Sequence, residues 1–346
     1  MKDLHFVQKL NDLYPLDLST TNVSLFGAGH IHQTWLAITD SSSYIIQKFN
    51  SKVFQNPGLI AHNHQLLIDH LAFDELDFDF PLPIPNRKGR TLCLLDGEYY
   101  RILPFVPGIC LQEIQAPEQA YLAAKAFSSL IATASSLDVN LFQEVIPDFH
   151  DLSMRYHQFE IALKKTSLSL HGELEKIVVF YQSQHDLVNQ YQSWTKLLPK
   201  RITHNDTKIN NLIFSADLTK VEAIIDLDTM MPGYVFNDFG DLVRTVACNL
   251  DENSVDFDSL KVIVDKYQAL YEGFLEGSRD TLTKDEIASL HFGGEMMIYI
   301  MGLRFVTDYL NGNIYYQIKY ENQNYDRAKN QMYLLKSLQQ IGFNKQ

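Results

Sequence analysis

Apolar positions recur at helical spacing over the first thirteen residues (Leu4, Val7, Leu10, Leu13), the repeat that gives an α-helix one apolar face. The pattern then shortens. Residues 22–27, 33–39 and 43–49 are rich in Val, Ile, Leu, Trp, Tyr and Phe, as strands are, and Ser41-Ser42-Ser43 supplies a turn between the last two. Helical spacing returns over 57–72, a proline-rich connection occupies 81–90, and strand-like runs follow at 91–95 and 98–103. After Pro107-Gly108 the chain reads as mostly helical: an alanine-rich pattern over 117–137, with Pro117 near its start, then 150–165, 172–198, 254–276, 284–310 and 323–341. Only 201–228 in this half alternates short strands with loops. These elements predict an α+β, bilobal chain: a small β-rich N-terminal lobe over 1–107 and a larger, mostly helical C-terminal lobe over 108–346. The segment Leu103-Pro104-Phe105-Val106-Pro107 would be the hinge.

Composition narrows the class. A chain of 346 residues suits two domains, and 46% hydrophobic content is ample for a full core. Cys93, Cys110 and Cys248 are far apart and show no CxxC spacing, so neither a disulfide framework nor a zinc site is expected, and a reducing cytoplasm is the expected location. The opening MKDLHFVQKLNDLY carries charges throughout and lacks an apolar signal core. No run of about 18 apolar residues suggests a membrane span. The net charge of −13, with no dense basic patch, disfavours nucleic acid as a partner. It also means that an anionic ligand must find local cations in its own site.

The chemistry concentrates in His204-Asn205-Asp206-Thr207-Lys208-Ile209-Asn210-Asn211, followed after a short apolar strand by Asp226-Leu227-Asp228. This order resembles the catalytic loop and metal aspartate of the protein-kinase and aminoglycoside-kinase superfamily, and it implies ATP and Mg2+ as cofactors. Asp206 stands where a carboxylate orients the attacking hydroxyl and takes its proton. His204 would fix the loop, and Lys208 would offset charge on the transferring phosphoryl group. Asn211 and Asp226 form the expected metal pair, since oxygen ligands suit magnesium. Asp228 would either support the metal's water shell or cap the following turn. In the N-terminal lobe, Gly27 and Gly29 lie between two strand-like runs, where glycine lets backbone approach phosphates. Lys48 ends the third strand, the placement of the kinase lysine that pairs with nucleotide phosphates. Phe105 and Val106 of the hinge complete the expected nucleotide contacts.

HNDTKINN, AIIDLDTMMPG and NDFGDLVR together resemble the N-acetylhexosamine 1-kinases of the aminoglycoside phosphotransferase superfamily. LFGAGHIHQTW, YIIQKFNSKVFQNP, DGEYYRILPFV, IPDFHDLSMRY and GLRFVTDYLNGNIYY extend the resemblance over about residues 22–340. It implies transfer of phosphate from ATP to the anomeric C1 hydroxyl of N-acetylglucosamine or N-acetylgalactosamine. It also implies that Arg304 and Tyr315 reach the sugar beside Asp206, with His30 touching it from the glycine loop. Two departures stand out. The 57–72 segment has no glutamate to pair with Lys48, and His32 and Asn313 replace an asparagine and an aspartate usual in that family. The sugar and ATP are the expected partners, with neither nucleic acid nor membrane, and the chain is expected to be a monomer or weak homodimer. Other readings are a kinase of another small alcohol (a different sugar, an aminoglycoside or a choline-like molecule) and a pseudokinase. The presence of Asp206, Lys208, Asn211 and Asp226 together argues against the last. The short stretch after Asp226 leaves no room for the activation loop of a eukaryotic-type protein kinase.

Overall fold

The computed structural model describes residues 5–18, 22–27, 32–51 and 54–341. In chain order these form α1 (His5–Leu13), β1 (Asn22–Leu25), β2 (Gln33–Ile38), β3 (Ser43–Lys48), α2 (Pro57–His70), β4 (Cys93–Leu95), β5 (Glu98–Pro104), β6 (Ile109–Cys110) and α3 (Pro117–Ala134). There follow α4 (Leu152–Lys165), α5 (Gly172–Ser183), α6 (Asp186–Leu197), β7 (Arg201–Thr203), β8 (Leu212–Phe214), β9 (Val221–Ile224), α7 (Val235–Val246), α8 (Val264–Gly277), α9 (Lys284–Leu310) and α10 (Gln323–Gln340). Two compact units result. The first takes Met1–Cys110, Thr133–Pro147 and Asn211–Pro232; the second takes Leu111–Ala132, Asp148–Asn210 and Gly233–Gln346. The α+β class expected above holds, with a small antiparallel sheet in one part and a larger helical part. Among the described residues no helix is long and apolar enough to cross a membrane.

The first unit is built on an antiparallel sheet of order β1-β2-β3-β5-β4. Its register sets Trp35 opposite Ile46 and Ile46 opposite Ile102. Side chains alternate across a strand, so these three share one face with Ala37 and Tyr100. That face is covered by Val7 and Leu10 of α1. Each fully buried aliphatic side chain there contributes roughly 1.5–3 kcal/mol. On the opposite face, Phe49 and Phe54 make a smaller cluster with Ile60 of α2, Leu92 and Tyr99. A second sheet of order β6-β8-β9 carries the β8–β9 hairpin. The backbone of Asp79 flanks that hairpin, donating to Glu222 O (2.7 Å) and accepting from Ile224 N (3.2 Å).

The second unit is organised around α9, which opens with a reciprocal Thr283–Glu286 capping box. α7 crosses α9 where two glycines meet. A Cβ on Gly240 would run into the Gly293 carbonyl oxygen, and one on Gly293 into the Phe236 carbonyl oxygen. The backbones therefore approach more closely than any side chain would permit. Tyr299 Oη donates to Tyr181 O (2.7 Å) and Tyr181 Oη to Ala328 O (2.8 Å), tying α9, α5 and α10 together.

Three helix expectations are corrected. The single helix over 172–198 breaks at Gln184-His185 into α5 and α6, with Asp186 starting the second, where an acidic side chain favours a helix N-terminus. The helix over 254–276 begins only at Val264. Upstream, Asp251 accepts from Asn253 N (2.6 Å), Ser254 from Asp256 N and Asp256 from Ser259 N (3.3 Å each). Such short side-chain bonds give the backbone an alternative to the helix. Finally, α7 was not anticipated. All of its residues except Thr245 are buried, although Val235, Phe236, Phe239, Leu242, Val243 and Val246 recur at helical spacing and the polar side chains between them are buried as well.

Candidate active site

The His204–Asn211 loop leaves β7, and in the second unit α7 holds its first half. Asp238 accepts from the backbone N–H of His204 and of Asn205 (2.8 Å each), and its own carbonyl accepts from Thr207 Oγ1 (2.7 Å). Burial pushes the Asp238 carboxyl up to about 7, against the pull of those two N–H groups. Asn205 adopts φ 63°, a left-handed conformation that Asn tolerates better than most residues. His150 Nε2 lies 3.0 Å from Asn205 O and, to bond there, carries the ring proton. Burial lowers the His150 pKa to about 4, so the ring is neutral near pH 7.

His204 is buried, edge-on to Phe127 with ring centroids 5.1 Å apart. Its Nδ1 accepts from Asp206 N (3.3 Å), which places it inside the loop as a brace. Asp206 and Lys208 are brought together, with Nζ 2.7 Å from Oδ1 and side chains 21% and 43% exposed, so both can meet a solute. Burial opposes the Lys208 charge, but Asp206 and Asp241 outweigh it and hold its pKa above the ordinary lysine value.

Asn211 and Asp226 are brought together in the first unit by the β8–β9 hairpin. Leu212 pairs with Ile224, and one residue outward Ile225 N donates to Asn211 O (2.9 Å). Asn211 therefore opens β8 just where Asp226 follows β9. An amide and a carboxylate at one hairpin end are hard oxygen donors, and magnesium needs only one or two from protein because it keeps several waters. The donor set fits that ion. Asp226 is exposed and lies in the left-handed region at φ 59°, ψ 57°.

Asp228 is engaged otherwise. Arg101 NH1 donates to Oδ1, and Arg101 NH2 donates to Oδ2 at 3.0 Å. His32 Nε2 also lies 2.7 Å from Oδ2. His32 Nδ1 accepts from Asn50 N (3.2 Å), so in the neutral ring the proton sits on Nε2 and points at Asp228. Burial alone would raise the Asp228 pKa; the Arg101 charge and the His32 hydrogen bond reverse that and hold it well below the usual carboxylate range. His64 Nε2 lies 3.2 Å from Leu227 O. Burial, then the nearby Arg101 charge, lower the His64 pKa to about 4. Asn63 Nδ2 donates to Met230 O (2.9 Å), so α2 grips both sides of Asp228.

The sheet separates Lys48 from this cluster. Lys48 stands opposite Tyr100 and Gln47 opposite Arg101. By the two-residue alternation, Lys48 shares the α1 face, where its Nζ pairs with Glu98 (2.7 Å). Gln47 is on the opposite face, accepting from Arg101 Nε at 2.8 Å. Lys48 is therefore turned away from Asp228 and its neighbours, and Glu98 on β5 fills the place of the glutamate missing from 57–72. Gly27 has φ 76°, which favours glycine, whereas Gly29 and His30 lie outside the described residues. Phe105 N donates to Ser43 O (3.1 Å), its ring is edge-on to Phe26 at 5.8 Å, and Val106 beside it is half-buried.

Arg304 and Tyr315 are also brought together. The Arg304 guanidinium lies 5.9 Å from the Phe149 and Tyr315 ring centres and 5.6 Å from that of Tyr316. Among the described residues it has no carboxylate partner. Asp308 sets this turn by accepting from Tyr315 N (2.8 Å) and Tyr316 N (3.0 Å), which leaves the Tyr315 side of the turn 71% exposed. The roles of Asp238, Asp308 and Arg101 were not anticipated. All three lie in strings quoted for the resemblance; the first two act through backbone contacts, and Arg101 is a lone cation in its strand.

Residues 22–272 match the profile of the phosphotransferase enzyme family, APH. Among solved structures the chain is similar to spectinomycin phosphotransferase APH(9)-Ia in complex with ADP and spectinomycin, at 14% identity and a TM-score of 0.60, over 98% of this chain and 99% of that one. It is similar to a microcompartment-associated aminopropanol kinase at 14% identity and a TM-score of 0.61, covering 98% of each chain. It is also similar to Plasmodium vivax ethanolamine kinase at 15% identity and a TM-score of 0.58, over 93% and 85%. At these identities the likeness is one of fold.

Proposed function

Since this chain belongs to the phosphotransferase enzyme family, APH, we propose that it transfers the γ-phosphoryl group of ATP to the anomeric C1 hydroxyl of an N-acetylhexosamine. Asp206 accepts the hydroxyl proton as the oxygen–phosphorus bond forms and ADP leaves, giving the hexosamine 1-phosphate. Lys208 balances negative charge beside it. Asn211 and Asp226 would hold magnesium, which would supply positive charge to offset that of the nucleotide phosphates. Gly27, Gly29, Phe105 and Val106 contact the nucleotide, and His30, Arg304 and Tyr315 contact the sugar.

The observation that carries the choice of acceptor is Arg304. The named substrates of an aminopropanol or ethanolamine kinase carry an amine, and a cationic acceptor needs carboxylates or free aromatic faces. Here the aromatic group Phe149, Tyr315 and Tyr316 already surrounds a cation, the Arg304 guanidinium. A second cation beside it would be repelled. Guanidinium donors suit a neutral sugar with ring hydroxyls and an acetamide carbonyl.

The test is ATP consumption with magnesium across N-acetylglucosamine, N-acetylgalactosamine, glucose, galactose, choline and kanamycin, with Asp206→Asn as the blank. Turnover on an N-acetylhexosamine, with phosphate on C1 by phosphorus NMR, is expected. The Asp206→Asn rate should fall by about 10²–10⁴-fold with ADP binding retained. Turnover on choline or kanamycin alone would overturn the acceptor assignment.

A further inference from the structure

Asp226 occupies a left-handed backbone conformation while exposed. A non-glycine residue persists there only when its surroundings over-determine it. Upstream, Ile225 N–H bonds to Asn211 O. Downstream, the short turn Leu227–Thr229 is held through Asp228, whose carboxylate receives the planar fork of Arg101 and the Nε2–H of His32. Arg101 is itself fixed: Gln47 accepts from its Nε, and its guanidinium lies 4.6 Å from the Phe49 ring centre. Arg101 and the Asp228 carboxylate are both nearly sealed from water, at 3% and 1% exposure. Lys48, the lysine that the sequence offers for this neighbourhood, faces α1 on the other side of the sheet.

We propose that Arg101 is a positioning residue for metal binding: by clamping Asp228 together with His32, it holds the turn that aims the Asp226 carboxylate outward at the end of the β8–β9 hairpin. The inference rests on the reading of Asp226 as a magnesium ligand. In this chain the cation fixed beside the Asp226 turn is a bidentate arginine on β5, acting through Asp228. His32 joins β2's N-terminal end to the clamp, since it lies immediately before Gln33. A lysine could supply the charge of Arg101 but not its fork, which engages both carboxylate oxygens at once.

The test uses the full chain with ADP, and reads Mn2+ affinity by electron paramagnetic resonance and metal-free ADP affinity by calorimetry. The variants are Asp226→Ala, Arg101→Lys and the paired exchange Arg101→Met with Asp228→Leu, which leaves no buried charge unpaired. The paired exchange should weaken Mn2+ binding roughly tenfold or more, the size of effect seen when groups supporting a metal ligand are removed, with metal-free ADP affinity unchanged. Arg101→Lys should weaken Mn2+ severalfold, and it answers the question if the paired exchange does not fold. Adding the paired exchange to Asp226→Ala should cost nothing further, because both act through one carboxylate. If Asp226→Ala loses Mn2+ while Arg101→Lys and the paired exchange bind it normally, the clamp is overturned and the metal assignment stands. If Asp226→Ala binds Mn2+ normally, the metal assignment falls and takes the clamp with it.

Discussion

Arg304 is a half-buried guanidinium surrounded by rings, with no carboxylate partner among the described residues. If the proposed acceptor is right, Arg304→Ala should raise KM for the N-acetylhexosamine by roughly 10–100-fold, the worth of a hydrogen bond from a charged donor, and leave KM for the nucleotide near its normal value. Equal losses in both would make Arg304 structural. His150 offers a test in acid. Its ring ordinarily titrates at 6.5, but burial lowers this to about 4 in the folded protein. As pH falls through 6.5 the unfolded chain takes up this proton first, so stability drops until about pH 4 and then levels. The loss from this residue is roughly 3 kcal/mol. His150→Gln, which keeps an amide donor but cannot titrate, should make that part of the urea-unfolding profile shallower, with His64 supplying further slope over the same range; an unchanged slope would exclude His150 as a source. At this scale the sequence was partly legible. The spacing of Asp206 to Lys208 survives as a contact, because two residues of one loop need no knowledge of the fold. The direction of Lys48 was not legible, because it depends on strand register, and one residue of offset exchanges the two faces of a sheet.

Between α7 and α9 the limiting quantity is distance. Gly240→Ala would place a methyl group against the Gly293 carbonyl and the Met297 side chain, forcing the helices apart and shifting Asp238 two residues away. Overpacking of this kind costs about 1–3 kcal/mol, visible as a lower urea midpoint. The rate should fall as well, because Asp238 positions the backbone of His204 and Asn205. A variant with lowered stability but full turnover would show that the crossing does not govern the loop. Periodicity found α1, α2, α9, α10 and strands β1 to β4 within the expected segments, and β5 runs one residue past its expected end. α7 was equally legible, since Val235, Phe236, Phe239, Leu242, Val243 and Val246 recur at helical spacing, whereas residues 254–263 misled because their apolar spacing competes with Asp and Ser side chains that bond to nearby backbone.

For the molecule as a whole, an architecture shared at 14–15% identity with solved kinases means that most side chains are replaceable within it. A short catalytic string is therefore easy to recognise, and the supports around it are not. The net charge of −13 gives an anionic nucleotide no general attraction. With screening over about 8 Å at physiological salt, only cations close to the phosphates can matter, which is why the direction of each lysine and arginine counts. One consequence concerns the order in which the protein is made. The unit built on the β1–β5 sheet draws its second sheet largely from residues 211–232, and Arg101 is translated 127 residues before the Asp228 that neutralises it. At bacterial or eukaryotic elongation rates of about 5–20 residues per second, that is a wait on the order of ten seconds. During that interval the emerging sheet carries an unpaired guanidinium on a surface destined to be dry. The first half of this chain therefore cannot reach its final state on the ribosome ahead of the second, and the ion pair closes only after most of the chain has been made.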